Sequence, residues 1–252
     1  MDADLWGLIA LGLYALVAGA IVFIQPARCP EGWAIWWLYV VHRLYVPNVF
    51  HWRANGRCPF PPEGPAIIIA NHRSPVDPLM IWMNHHLTPR GKGPIRVIGF
   101  VMAREYYEQP GVIGWICRAM QSIPIERDGK DVQGTRQALK RLKEGKLLGI
   151  FPEGGINTGP GLREADVGVA WLALTSRAPV YPVFLHGTPQ RTSMTAPFYT
   201  FSRVRVSYGE PVDLSAYYGR RKNHELLREV TDLLMQRLAE TGGLRSPRGD
   251  TS

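Results

Sequence analysis

The feature that most constrains the fold is an uninterrupted apolar stretch close to the N-terminus. Residues 5–24 contain no charged side chain. Twenty residues in a helix span about 30 Å, which is the thickness of the hydrocarbon core of a bilayer. The residues before the stretch include Asp2 and Asp4, whereas a cleavable signal peptide begins with a basic region. We therefore predict an uncleaved membrane anchor, with a buried core helix as the alternative.

A second apolar segment, residues 32–52, is rich in tryptophan and tyrosine and contains Arg43. These side chains favour the headgroup level of a bilayer. Residues 28–57 carry four arginines and one glutamate, so the positive-inside rule predicts that this flank and the following domain are cytoplasmic. The expected location is the inner (cytoplasmic) membrane. A helical hairpin inserted into one leaflet is the alternative to a true span.

The charge balance indicates an anionic partner. The chain of 252 residues has a formal net charge of +8 at pH 7, which suits an anionic membrane face or a phosphorylated substrate. Nucleic acid is not expected as a partner, because no basic and aromatic binding module is present. The three cysteines are few and odd in number, which favours a reducing compartment over a disulfide framework.

The rest of the chain predicts alternating strands and helices. A proline-rich linker, residues 57–65, separates the anchor from this part. The alternation predicts an α/β fold, with a mostly parallel central sheet flanked by helices behind the N-terminal membrane-associated helical segment. The predicted domains are a membrane-anchoring segment (1–56), an α/β catalytic domain (57–241) and a disordered tail (242–252). The predicted strands are 66–70, 95–102, 122–125, 147–151, 180–185 and 204–208, and the predicted helices are 75–86, 111–120, 132–144, 167–176 and 223–240.

A polar cluster follows the first of these strands. Residues 71–77 read NHRSPVD, and ligand sites in open α/β sheets form at the carboxyl ends of strands. Ser74 fits a helix N-cap with Pro75 at the first helical position. The same turn can bring the Asp77 carboxylate to the His72 imidazole, which would leave the second ring nitrogen as a general base. The alternative is that Asp77 only caps the helix.

This cluster resembles the NHxxxxD motif of the glycerolipid acyltransferases, the family of 1-acylglycerol-3-phosphate O-acyltransferases. The resemblance continues in order along residues 59–208. Residues 123–127 (IPIER) look like the second block of the family, residues 151–154 (FPEG) match the third, and residues 178–183 (APVYPV) resemble the fourth. The His and Asp motif alone is a weak signal, whereas its combination with FPEG at this separation is strong.

The resemblance implies transfer of a fatty acyl group from acyl-CoA or acyl-carrier protein to the hydroxyl of a lysophospholipid such as lysophosphatidic acid. His72 would be the base and Asp77 would orient it. No cofactor or metal is expected, and the partners would be membrane lipid, the lysophospholipid acceptor and the acyl thioester donor. The implied substrate-binding residues are Asn71, Arg73, Ser74, Arg127, Glu153, Gly154, Gly155, Arg163 and Pro182.

The third block departs from the family pattern. The family usually continues after FPEG with threonine, arginine and serine, where this chain has Gly155, Ile156 and Asn157. A basic pair usually found before the glycine matching Gly168 is also missing, and Arg163 is a candidate replacement for one cation. Two alternatives follow: an acyltransferase acting on another lysolipid, such as an amino-acid-containing lipid, or an inactive membrane lipid-binding protein of the same fold.

Overall fold

A computed structural model of the chain describes residues 3–27, 29–82, 94–126, 131–190 and 193–244. Two short 3₁₀ helices, Ala196–Tyr199 and Ser215–Tyr217, join the regular elements. The strands are β1 (Arg53–Asn55), β2 (Ala66–Ala70), β3 (Ile98–Ala103), β4 (Ile123–Ile125), β5 (Leu147–Ile150), β6 (Val180–His186) and β7 (Arg205–Tyr208). The α-helices are α1 (Ala3–Ala27), α2 (Trp33–Phe50), α3 (Asp77–Trp82), α4 (Arg104–Tyr107), α5 (Val112–Ala119), α6 (Val132–Lys143), α7 (Gly168–Ser176) and α8 (His224–Thr241).

The strands of the described residues form one seven-stranded sheet in the order β1-β7-β6-β2-β5-β3-β4. Strands β6 and β7 pair in antiparallel fashion, and each other neighbouring pair is parallel. Strand β2 lies at the centre, between β5 and β6. The predicted α/β fold with a mostly parallel sheet is thus confirmed, and the polar loop that follows β2 lies in the middle of one sheet edge.

Alternate residues of β2 enter two separate cores, one on each face of the sheet. Ile68 belongs to the core that includes residues of α2 and α3. Ile67 and Ile69 belong to the core on the other face, which includes residues of α6, α7 and α8. All five residues of β2 are buried, which explains why the strand reads as a continuous apolar run. Both faces therefore hold the strand in place.

Helix α2 packs against the sheet instead of standing apart from it. Its buried residues include Ile35, Val46 and Phe50, all of which belong to the core that contains Ile68. Strand β1 then pairs with β7, although it precedes the predicted linker. The predicted boundary between residues 56 and 57 stays a prediction, but the sheet includes a strand from its N-terminal side.

Replacement of Phe50 by alanine is expected to lower the free energy of unfolding by about 3–5 kcal/mol, because Phe50 is fully buried where α2 meets the sheet. Leu44 lies on the same helix but is 66% exposed. Its replacement by alanine is expected to change the stability by less than about 0.5 kcal/mol. Chemical unfolding of both variants in detergent measures the difference, and equal effects would contradict the packing of α2 on the sheet.

Helix α1 is exposed along its apolar length. Residues Asp4–Ile24 have a mean hydropathy of 2.5, and none of this stretch is buried against the rest of the protein. It is the one helix of the described residues that is long and apolar enough to cross a membrane. Its length and composition support a membrane-spanning helix. A core helix of a soluble protein would be buried, whereas this helix is exposed.

His42 is a residue of α2 whose side chain is buried. It is 4% exposed, and its ring stacks on Trp82 with the ring centroids 4.9 Å apart. Neither ring nitrogen has a hydrogen-bond partner among the described residues. Burial, with a smaller contribution from the neighbouring Arg43, lowers the pKa of His42 from 6.5 to about 4.

Stability is expected to fall with acid because of His42. Between pH 6.5 and about 4, the unfolded chain binds a proton that the folded chain does not, so the free energy of unfolding decreases by up to about 3 kcal/mol. Above about pH 7 this contribution is constant. Unfolding measured from pH 4 to pH 8 for the natural chain and for His42→Phe tests this: the variant should lose less stability in acid, and identical pH profiles would contradict it.

The predicted elements are largely confirmed, with two differences at the site. Helix α3 begins at Asp77, two residues later than predicted, and residues 83–86 of the predicted helix lie outside the described residues. The predicted N-cap role of Ser74 is wrong, because its hydroxyl donates to the carbonyl of Pro189 at 2.7 Å. The predicted tail is described only as far as Leu244.

Candidate active site

The site begins where β2 ends, and Asn71 fixes that end to β6. The side-chain amide of Asn71 donates to the carbonyl of Leu185 at 3.0 Å, and its oxygen accepts from the Leu185 N–H at 2.7 Å. Asn71 is completely buried. These paired bonds extend the β2–β6 ladder by one residue through a side chain, so His72 leaves the sheet edge from a defined position.

His72 and Asp77 form a hydrogen-bonded pair. His72 Nδ1 lies 2.9 Å from Asp77 Oδ2, the His72 side chain is 17% exposed, and Asp77 is fully buried. Because an ionised carboxylate only accepts hydrogen bonds, this contact requires the proton on Nδ1 and leaves Nε2 without one. The pair is therefore arranged to present Nε2 as a base.

The Asp77 carboxylate also closes the loop between them. Oδ2 accepts from the Arg73 N–H at 2.6 Å and from the Ser74 N–H at 2.8 Å. The other oxygen is buried and has no partner among the described residues. Asp77 is the first residue of α3, and its Oδ2 both orients His72 and holds the loop that enters the helix. These bonds go to residues before the helix, so capping of α3 by this carboxylate stays a prediction.

The His72 ring rests on an aromatic stack. The rings of His72 and Phe151 are nearly parallel, with centroids 4.0 Å apart, and Phe151 stacks in turn on Phe100 at 5.2 Å. Phe151 directly follows β5 and Phe100 lies in β3. Contact on one face and the bond to Asp77 together restrict rotation of the imidazole, which leaves its edge with Nε2 for a reacting group.

Glu153 holds the backbone of the His72 loop. Its Oε1 accepts from the His72 N–H at 3.0 Å, and its Oε2 accepts from the Asn157 amide at 2.6 Å and from the Arg163 N–H at 2.9 Å. The Asn157 N–H also donates to the His72 carbonyl at 2.7 Å. Glu153 is 4% exposed, so these contacts give it a positioning role, while contact with a head group stays a prediction.

Arg73 binds the loop that follows FPEG. One of its terminal nitrogens donates to the Asn157 carbonyl at 3.1 Å and also to the carbonyl of Gly159. The other donates to the Gly161 carbonyl at 2.9 Å. The predicted substrate-binding role of Arg73 stays a prediction, because these contacts already commit much of its guanidinium to the protein.

The remaining predicted site residues differ in where they lie. Gly154 adopts a left-handed backbone, with φ of 69°, which glycine tolerates at this turn, and Gly155 follows it. Arg163 Nη2 donates to the Glu153 carbonyl at 3.2 Å. Pro182 lies within β6, opposite Ile69, rather than on the loop after that strand. Arg127 lies outside the described residues.

Asn157 and Phe151 both contact His72, and the sequence did not predict these contacts. Asn157 counted only as a departure from the family pattern, although it is 1% exposed and hydrogen-bonded. Phe151 was noted as the first residue of FPEG, and nothing in its type predicts a ring beneath the imidazole. In the described part of the chain, no three His, Cys, Asp or Glu side chains are grouped as metal ligands are.

Replacement of Glu153 by glutamine is expected to lower stability by about 1–3 kcal/mol and kcat by roughly tenfold. Either orientation of the new amide turns its NH₂ group towards an N–H donor that the carboxylate accepted, which leaves buried donors unpaired. An unfolding curve measures the change in stability, and the turnover rate measures the change in kcat.

The matched control for this change is Glu164→Gln, since Glu164 is 90% exposed and lies 3.9 Å from Arg228. Exposed ion pairs of this kind contribute little to stability, so the control should have the stability and kcat of the natural chain. If Glu153→Gln also leaves the stability and kcat unchanged, the loop does not depend on this carboxylate.

The family of the chain follows from comparison with known proteins. An acyltransferase family model matches residues 51–186, just over half of the chain, and the match includes His72, Asp77 and Glu153. The chain therefore belongs to the acyltransferase family.

Individual relatives are similar over parts of their length. The chain is 25% identical over 143 residues to a 1-acyl-sn-glycerol-3-phosphate acyltransferase of Bacillus subtilis (strain 168), which covers 55% of this chain and 66% of that protein. It is 32% identical over 133 residues to an N-acylphosphatidylethanolamine synthase of Arabidopsis thaliana, covering 50% of this chain and 44% of that protein. The chain thus matches about two thirds of the first relative and less than half of the second.

The fold also matches a solved structure. The crystal structure of the 1-acyl-sn-glycerophosphate acyltransferase PlsC from Thermotoga maritima superposes with a TM-score of 0.62 at 21% sequence identity, covering 94% of this chain and 96% of that one. At this identity the similarity establishes a shared fold.

Proposed function

We propose that this protein is a membrane-anchored O-acyltransferase that uses the His72–Asp77 pair as its general base. Nε2 of His72 takes the proton from a substrate hydroxyl, and the hydroxyl oxygen attacks the thioester carbonyl. The carbon–sulfur bond then breaks, and the thiolate leaves with the proton that His72 returns. No covalent bond to the protein forms in this scheme.

The observation that carries the proposal is the 2.9 Å contact between His72 Nδ1 and Asp77 Oδ2 at the carboxyl edge of the central strand. The pair lies at a sheet edge where α/β proteins place ligand sites. Its position within residues 51–186, which match the acyltransferase model, supports acyl transfer over other base-catalysed reactions.

Lysophosphatidic acid is the acceptor that the relatives favour, since 1-acyl-sn-glycerol-3-phosphate is the substrate in the name of the Bacillus subtilis protein. The donor would be acyl-CoA or acyl-carrier protein. Arg163 is the proposed head-group cation of the third block. Its guanidinium lies 3.5 Å from the backbone carbonyl of Ile156, the residue that stands where the family pattern has arginine, and arginine suits phosphate.

An acceptor with an amino group is the second candidate. The similarity to an N-acylphosphatidylethanolamine synthase, at 32% identity, favours it, as does the sequence Gly155-Ile156-Asn157 in the place of Thr-Arg-Ser. In that reaction the attacking atom is nitrogen and the product is an amide. The base requirement at His72 is the same, so the two candidates differ in the acceptor alone.

The membrane anchor in the proposal is α1. Its exposed apolar length would place the site near a lipid acceptor, and the basic residues after it favour a cytoplasmic domain. Washing membranes at alkaline pH should leave the protein in the pellet. Release into the supernatant would contradict the anchor.

The function is tested with the purified full chain in detergent, using labelled acyl-CoA or acyl-carrier protein as the donor. The acceptors are lysophosphatidic acid, lysophosphatidylethanolamine, lysophosphatidylglycerol and an amino-acid-containing lysolipid. We expect lysophosphatidic acid to give the fastest transfer. Mild alkaline hydrolysis then distinguishes an ester from an amide product. A folded protein that acylates none of them would overturn the proposal in favour of a lipid-binding protein.

A further inference from the structure

A cleft of about 520 Å³ opens at the carboxyl end of β6, on the opposite side of β2 from Phe151. Its size is within the range of small-molecule sites. The loop of residues 158–161 forms one wall, and the chain that leaves β6 forms another. The side chains that line it include those of Arg73, His186 and Thr188, with Leu244 beyond the end of α8.

The cleft is connected to the His72–Asp77 pair in two ways. Arg73, which lines the cleft, directly follows His72 in the chain. Leu185, which also lines it, makes both hydrogen bonds to the side chain of Asn71 on the other side of His72. A molecule bound in the cleft would therefore extend towards His72 along a short loop.

The charge around the cleft is positive. Within the described part of the chain, none of its lining residues is an aspartate or a glutamate. His186 pairs with Arg205 in the β6–β7 register, and Arg205 is level with Arg53 in β1. Both arginines are exposed, and no ion pair or side-chain hydrogen bond of either guanidinium is found among the described residues. Arg205 is not among the described residues that line the cleft, but it neighbours His186, which is one of them.

A buried hydroxyl in the wall also lacks a partner. Thr188 is 8% exposed, and its Oγ1 has no hydrogen-bond partner among the described residues. Buried hydroxyls are rarely left unpaired, since the loss costs about 1–3 kcal/mol. A ligand that accepts a hydrogen bond would satisfy this group, and Thr188 lines the same cleft as His186.

We propose that this cleft binds a phosphate group carried by one of the two substrates, with Arg205 and Thr188 as its ligands. A phosphate accepts several hydrogen bonds and matches the geometry of arginine. The group would be the phosphate ester or pyrophosphate of an acyl-CoA donor or the head-group phosphate of the acceptor. The choice of these substrates rests on the proposed function, whereas binding of phosphate does not.

Direct binding is tested on the full chain in detergent by calorimetric titration with inorganic pyrophosphate, coenzyme A and sn-glycerol 3-phosphate. Arg205→Gln should raise the Kd of the phosphate compound that binds by roughly tenfold, the loss expected for one charge-assisted contact. Thr188→Val, which removes only the hydroxyl, should raise it several-fold. Arg205 is exposed, so its substitution leaves the fold intact.

The control is Arg221→Gln, which makes the same charge change at the other end of α8. That helix has 18 residues and is therefore about 27 Å long, and Leu244 at the cleft follows its far end. The control should bind each compound as the natural chain does. An equal increase of Kd in the control would overturn the proposal, because it would show a general effect of net charge on binding.

Steady-state kinetics then identify the substrate. A higher KM for acyl-CoA alone in Arg205→Gln assigns the cleft to the donor, and a higher KM for lysophosphatidic acid alone assigns it to the acceptor. Unchanged Kd and KM values in both variants overturn the proposal. If the natural chain catalyses no transfer but binds phosphate compounds through Arg205, the proposed function fails while the cleft assignment stands.

Discussion

Replacement of His72 by alanine is expected to lower kcat by about 10²- to 10⁴-fold, the contribution of a positioned general base. The variant keeps the backbone contacts that Glu153 and Asn157 make with residue 72, because these use its N–H and carbonyl. The loop should therefore remain in place while Nε2 is lost. The KM values should change little, since the imidazole acts on the proton being transferred.

The measurement is the initial rate of acyl transfer together with an unfolding curve. His224→Ala is a suitable control, because His224 is exposed at the start of α8. The control should keep the rate of the natural chain. A His72→Ala variant that transfers acyl groups at that rate would exclude His72 as the base.

Replacement of Asp77 by asparagine is expected to lower kcat by roughly 10²-fold or more with a folded protein. The amide oxygen can occupy the position of Oδ2 and accept from His72, Arg73 and Ser74, so the tautomer and the loop can persist. The negative charge that stabilises the protonated imidazole is lost. The NH₂ group takes the position of Oδ1, which is buried, and its unpaired hydrogens should cost about 1–3 kcal/mol in stability.

Rate and stability should therefore both change in Asp77→Asn. A more reactive thioester donor distinguishes the two effects, because its leaving group needs less proton transfer. With this donor the difference in kcat between the variant and the natural chain should become smaller, while the difference in stability stays the same. Asp213→Asn is the control, because Asp213 is exposed and its carboxylate accepts from the N–H of Ser215 within its own turn. An Asp77→Asn enzyme with a normal rate would leave Asp77 with a capping role alone.

Much of the fold is predictable from local patterns. Continuous apolar runs such as the one that forms β2 predict strands buried on both faces, and the helical periodicity of residues 132–144 predicts α6 within one residue. Strand β1 was missed because three residues, Arg53–Asn55, are too short to show alternation. Its pairing depends on β7, whose residues lie 152 positions further along the chain, as in the pair of Arg53 and Arg205.

The sequence predicted the pair of His72 and Asp77, but it did not predict the residues that hold the His72 loop. The pair of His72 and Asp77 is local, because five positions separate them and one turn joins them. Glu153 and Asn157 contact the loop from about 80 positions away. The sequence alone suggested a head-group role for Glu153, whereas the structure surrounds its carboxylate with N–H donors from the chain.

The sequence by itself therefore determined the acyltransferase motifs, the alternation of strands and helices, and a long apolar helix in front of them. These properties arise from residue type and from spacing within one turn or one strand. Only the tertiary structure decided that α2 packs on the sheet and β1 pairs with β7, that Phe151 lies beneath His72, and that Arg205 neighbours His186. Those outcomes depend on the order of strands in the sheet, which brings distant residues together and leaves no local pattern in the chain.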